Sequence, residues 1–213
     1  MDIRLYHYFR SSSSWRVRWA LAHKSVPYEA IAVNLLEGAQ THAEYRAANP
    51  TGYVPCLVVD GRALGESVAI VELIDDLFPE PSLRPADPWQ RARMRQLVEI
   101  VNAGTQPLQN LWVLRKVSSE KEGQAAWARE VIGRGLAAFE TLLAAIRAEG
   151  TAGPFCFGEA PTFADLFLVP QLFNARRFAT DLGPYPLCLE VERAALATEG
   201  CRVAAPDVWE SKT

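Results

Sequence analysis

The chain has 213 residues, 49% of them hydrophobic and 22% charged, and its formal net charge is −3. A charge this mild and this evenly interspersed argues against a nucleic-acid binder, and the apolar content argues against disorder. No stretch of about 18 uninterrupted apolar residues offers a membrane span, and the opening Met1–Arg10 lacks the apolar run of a secretory signal, so a cytoplasmic protein is expected.

Residues 1–80 alternate short strands and helices. Ile3–Tyr8 alternates with period 2, as a strand does. Ser14 is placed to cap a helix running to Ala22, with Val17, Ala20 and Leu21 on one face. Tyr28–Val33 alternates again, and a short helix is predicted over His42–Ala48. Asp60-Gly61 between two apolar runs is a hairpin signal, and Ser67 opens an apolar-periodic helix to Leu77. The order β-α-β-α-β-β-α predicts a parallel first pair of strands and an antiparallel edge.

Pro79, Pro81, Pro85 and Pro88 then mark a linker, since proline at this density continues neither helix nor central strand. Residues 88–213 are predicted all-helical. One long helix is expected over Trp89–Val117, interrupted or bent near Gly104 and Pro107, and a second over Glu120–Arg147. Thr162-Phe163-Ala164-Asp165 has the form of a capping box that starts a third helix. Residues from about Pro186 show no clear pattern. Cys56, Cys156, Cys188 and Cys201 form no Cys-x-x-Cys pair, and His7, His23 and His42 do not cluster with them. No zinc site is therefore expected, and the thiols read as buried or incidental.

Five stretches carry chemistry. Arg10-Ser11-Ser12-Ser13-Ser14-Trp15-Arg16 lies between the first strand and first helix, and four consecutive serines exceed what one cap needs. Their hydroxyls and a helix N-terminus would stabilise a thiolate, carboxylate or phosphate. Val54-Pro55 precedes a strand, where a cis peptide would turn the Val54 backbone toward an extended ligand. Glu66-Ser67 suits the ammonium and carboxylate of an α-amino acid head, although Ser67 also serves as a plain cap. Gln106-Pro107-Leu108-Gln109-Asn110 either faces solvent or lines a cleft, and Arg176-Arg177 either complements a helix dipole or clamps a carboxylate.

Together these residues resemble the zeta class of glutathione S-transferases, which includes maleylacetoacetate and maleylpyruvate isomerases. The class motif Ser-Ser-Cys-x-Trp-Arg-Val-Arg-x-Ala-Leu is matched by Ser11–Leu21, with Ser13 in place of the cysteine. Asn49-Pro50, Val54-Pro55, Glu66–Ile70, Gln106–Asn110, Ala164–Leu166, Val169–Gln171, Arg177-Phe178 and Asp181-Leu182 extend the match over nearly the whole chain.

The resemblance implies a thioredoxin-like first domain, an all-α second domain, a cis Pro55 and a homodimer. It implies glutathione as cofactor, with Glu66 and Ser67 on its γ-glutamyl head and Val54 on its cysteinyl backbone. Ser11, Ser12 and Ser13 would lie at the sulfur, and Gln40, Gln106 and Asn110 would make further contacts. Ser14, Trp15, Arg16, Leu111 and Trp112 complete the implied cofactor set. The implied reaction is a cis–trans isomerisation in aromatic amino-acid breakdown. A thiolate adds to a conjugated double bond, the bond rotates, and elimination returns the thiol. Arg10 and Arg177 are the candidates for the carboxylates of a small diketo diacid. Maleylpyruvate isomerase usually has arginine where Leu111-Trp112 stands, so maleylacetoacetate is the favoured substrate. A transferase acting on small α-halo acids and a non-enzymatic dimeric binding module are the other readings.

Overall fold

The computed structural model describes residues 1–210, arranged as two compact units. One unit is Met1–Ser82 together with the segment that begins at Ala197; the other is Leu83–Leu196.

The first unit is built on a four-stranded sheet of order β2-β1-β3-β4: β1 Ile3–His7, β2 Glu29–Ala32, β3 Cys56–Val59 and β4 Arg62–Gly65. The pairing β1–β2 is parallel, as the crossover through α1 (Ser12–His23) requires, and β1–β3 and β3–β4 are antiparallel. Asp60 and Gly61 both have positive φ, 47° and 81°, the tight hairpin that Asp-Gly favours. Helices α1 and α3 (Ser67–Leu77) pack together, burying Val17, Ala20, Leu21, Ile70, Val71 and Ile74. The short α2 (Ala43–Ala48) follows a 3-10 turn at Ala39–Thr41, and its Tyr45 clusters with Tyr8, Val33, Val54 and Cys56. The peptides Val54–Pro55 and Glu80–Pro81 are both cis.

The second unit is helical. The helix expected over 89–117, interrupted or bent near Gly104 and Pro107, is interrupted, in three pieces: α4 (Pro88–Asn102), a 3-10 turn at Gln106–Gln109 and α5 (Leu111–Val117). The break prevails over a bend because Pro107 brings no N–H to continue the ladder. The long α6 spans Lys121–Ala148 and α7 Phe163–Arg177. Nearly every residue of α7 is buried, which makes it the central helix. It starts on a fully buried Asp165, whose carboxylate accepts from Thr162 N (2.7 Å), Thr162 Oγ1 (2.8 Å) and Cys156 N (2.8 Å).

Residues from Pro186, patternless in sequence, form α8 (Pro186–Ala197), α9 (Glu199–Ala204) and α10 (Pro206–Glu210). The sequence reading assigns all of them to the helical domain. The segment from Ala197 instead groups with the first unit, where α9 packs on α1. Gly200 makes that approach close: a Cβ there would lie 3.3 Å from His23 N and 3.5 Å from Trp19 Cδ1. Among the described residues, no helix is long and apolar enough to cross a membrane, and no group of His, Cys, Asp and Glu is arranged to hold a metal.

Candidate glutathione and substrate site

The serine loop is organised from its first residue. Ser11, not Ser14, caps α1: its hydroxyl accepts from Ser14 N at 3.1 Å. Ser14 is fully buried and its Oγ accepts from Tyr8 N at 3.4 Å, so this serine holds the loop rather than facing a ligand. Ser12 is buried, and Ser11 and Ser13 are half-buried. Trp15 and Arg16 are buried too, and Arg16 reaches α3, where its Nη1 donates to Ser67 Oγ at 3.0 Å.

Glu66 precedes α3 with φ 65°, a left-handed value, and its side chain makes no capping bond to the helix. The first N–H groups of α3 are therefore left without a side-chain cap beside Ser67, an arrangement that suits an anion. Val54 and Pro55 are buried, and the β3 ladder begins only at Cys56, so the Val54 peptide lies outside its register. Gln40 is the middle residue of the 3-10 turn, with its Oε1 buried and unpartnered, an acceptor that a ligand N–H can satisfy. Arg10 is exposed; it pairs with Glu210 at 3.6 Å and lies over the Phe9 ring.

In the second unit the amide-rich stretch divides. Gln109 turns inward and donates to Gln171 Oε1 (3.1 Å) and Thr105 O (3.2 Å), while Trp127 Nε1 holds Leu108 O at 3.0 Å. Gly135 on α6 makes room for Thr105, because a Cβ there would come within 2.1 Å of its Oγ1. Gln106 Nε2 donates to Asn110 Oδ1 at 3.0 Å, so those two amides are held as a pair. Leu111 and Trp112 are exposed, at 48% and 60%. Of the two arginines ending α7, Arg176 makes a two-pronged bond with Glu192, whereas Arg177 donates to the neutral Asn174 Oδ1 at 3.3 Å.

All four cysteines are free and fully buried. Burial pushes the Cys56, Cys156 and Cys188 thiols above their ordinary values, and Glu140 raises Cys188 further. A reactive thiolate is thus not among the groups this chain offers at its surface.

Residues 5–82 match the family model for the glutathione S-transferase N-terminal domain, and residues 124–194 match that for the C-terminal domain. The maleylacetoacetate isomerase of Rattus norvegicus is 43% identical over 204 residues, 95% of this chain and 91% of that one. A maleylpyruvate isomerase described as a bacterial zeta-class glutathione S-transferase superposes with TM-score 0.91 at 40% identity, covering 95% of this chain and 96% of the other. The chain belongs to the zeta class of glutathione S-transferases. The chain is also similar to the maleylacetoacetate isomerase of Anaeromyxobacter dehalogenans 2CP-1, solved with dicarboxyethyl glutathione and citrate in its active site. It is 48% identical with TM-score 0.84, over 97% of this chain and 95% of that one.

Sequence reasoning named Glu66-Ser67 and the serine loop as candidates; it also named Arg16, which is buried and braces Ser67. It named Arg18 and Gln171 only as members of the matched motifs, with no role, and passed over Trp209 altogether. Only the Arg16-Val17-Arg18 run of the class motif hinted at Arg18, and nothing local hinted at Trp209.

Proposed function

We propose that the chain is a glutathione-dependent cis–trans isomerase acting on maleylacetoacetate, working as a homodimer. The observation that carries this reading is the start of α3, where uncapped N–H groups and a Ser67 hydroxyl backed by the buried Arg16 await a carboxylate, with Glu66 beside them for an ammonium. Those are the two charges of a γ-glutamyl head. The Val54 peptide is available for the cysteinyl backbone, and the orphaned Gln40 oxygen supplies a further acceptor.

Bound glutathione supplies the nucleophilic sulfur that the four buried cysteines do not. The chain's part is to hold that sulfur deprotonated. The α1 N-terminus and the Ser11, Ser12 and Ser13 hydroxyls stabilise negative charge there, lowering a thiol pKa from about 8.5 toward neutrality. Arg177, at the exposed end of α7, takes a substrate carboxylate or polarises its carbonyl. Arg10 is the weaker candidate, since it must first leave Glu210, although an exposed pair of that kind holds by only about 0–1 kcal/mol. Citrate and a dicarboxyethyl conjugate in the active site of the Anaeromyxobacter relative support a site for carboxylate-rich substrates.

The test mixes the protein with glutathione and the cis diketo acid and follows the trans product. Folded protein that binds glutathione-agarose but shows no glutathione-dependent turnover overturns the reading. Maleylpyruvate, the substrate named for the relative at TM-score 0.91, is assayed alongside. Arg177→Ala should raise KM for the diacid with the glutathione Kd little changed; equal losses in both contradict its assignment. Size-exclusion chromatography tests the dimer.

A further inference from the structure

The strand β1 leads into the serine loop through Tyr8 and Phe9, and the carbonyls of both accept from one side chain. Arg18, in the middle of α1, donates Nη1 to Tyr8 O (3.3 Å) and Nη2 to Phe9 O (3.1 Å). Tyr8 O also accepts from Ser11 N at 3.0 Å, so the residue that caps α1 hangs from the peptide Arg18 grips. The third nitrogen, Nε, donates at 2.9 Å to Ala204 O, at the end of α9 and 186 positions away.

The guanidinium is fully buried. Trp209 of α10 lies over it, with the guanidinium carbon 5.6 Å from the indole centroid. The same ring meets His7 edge-on at 4.9 Å and stacks on Tyr28 at 6.2 Å, and its Nε1 donates to Val203 O at 2.9 Å. Next to it Glu210 pairs with Arg10, the first residue of the loop itself. A fork held dry and sandwiched by an aromatic ring gives each of its hydrogen bonds more strength than it has in water.

We propose that Arg18 is a positioning residue for the serine loop and that the C-terminal turn Pro206–Glu210 is its cover, with Trp209 keeping water from the fork that fixes the Tyr8 and Phe9 carbonyls. The consequence for chemistry rests on the reading of Ser11–Ser13 as the thiol site; the consequence for loop rigidity does not.

The full chain is compared with Trp209→Ala, Trp209→Phe and Arg18→Lys. Trp209→Ala should speed amide hydrogen exchange at Ser11 and Ser14 by about tenfold while Leu57 in β3 keeps its rate. The pKa of bound glutathione, read from thiolate ultraviolet absorbance, should rise by about half a unit, with the glutathione Kd within about twofold because Glu66 and Ser67 are untouched. Trp209→Phe should restore most of both. Arg18→Lys, a point charge that cannot fork two carbonyls, should exceed Trp209→Ala in both readouts. Unchanged exchange at Ser11 and Ser14, or equal acceleration at Leu57, overturns the proposal. A wild type that binds glutathione without ionising it overturns the thiol-site reading alone, and the exchange rates still decide the clamp.

Discussion

Arg16 Nη1 donates to Ser67 Oγ at 3.0 Å, joining the interior of α1 to the first residue of α3 across 51 positions. A guanidinium only donates, so it occupies a lone pair of Ser67 and turns the hydroxyl proton away from itself, toward a ligand. Its buried charge adds to the positive end of α3. Ser67→Ala should weaken glutathione binding by about tenfold or more, as expected for a hydrogen bond to a charged group. Arg16→Gln, which keeps a donor and removes the charge, should cost less. Titration calorimetry reads both, and a Ser67→Ala loss under about twofold would take Ser67 out of the carboxylate site.

Ser13 occupies the position where the class motif carries cysteine, half-buried in the first turn of α1. Since all four native cysteines are fully buried, the folded chain should react with a thiol reagent at none of them on a short exposure. Ser13→Cys should add one fast-reacting thiol and leave isomerisation within about threefold, because in the proposed mechanism the working sulfur is glutathione's. Rapid titration of a thiol in the unmodified native protein would contradict this.

His7 lies in β1, 1% exposed, with Nδ1 facing Arg18 Nη1 at 3.3 Å. The guanidinium can only donate, so Nδ1 accepts and the ring proton sits on Nε2. Burial, and then the Arg18 charge, lower its pKa from 6.5 to about 3. Between those values the unfolded chain binds a proton the folded one refuses. The stability due to this group is therefore fully present above about pH 6.5 and is lost as pH falls toward 3. Urea unfolding across that window should show a slope of up to about 1 kcal/mol per pH unit that His7→Gln flattens. An identical slope in the variant would assign the effect elsewhere.

Lys24 and Asp75 form an ion pair whose side chains are 0% and 1% exposed, and Lys24 Nζ also donates to Pro81 O. Lys24→Met removes the cation from a buried carboxylate and should destabilise by about 3–5 kcal/mol. Lys24→Met with Asp75→Leu should recover most of that loss, because the desolvated charge goes with its partner. Thermal or urea denaturation distinguishes the two; additive losses would show that the pair is not coupled.

The sequence by itself determined what neighbours enforce. Asp60-Gly61 forms its hairpin because both residues accept positive φ, and Thr162–Asp165 starts α7 because a carboxylate three residues on can reach back to the start of the helix. The class motif and Glu66-Ser67 likewise identified the ligand chemistry from residue types at fixed spacing. The breaks at Gly104 and Pro107 were visible as weak points, but whether they bend or divide the helix depended on what Thr105, Gln109 and Trp127 could bond. Which serine caps and which is buried turned on Tyr8, six positions before Ser14. Only the tertiary structure placed Arg16 behind Ser67, and Arg18 between the serine loop and a C-terminal helix. Those contacts join residues 51 and 186 positions apart, where no periodicity or turn chemistry reaches, and they form because a buried guanidinium must find carbonyls and hydroxyls wherever packing brings them.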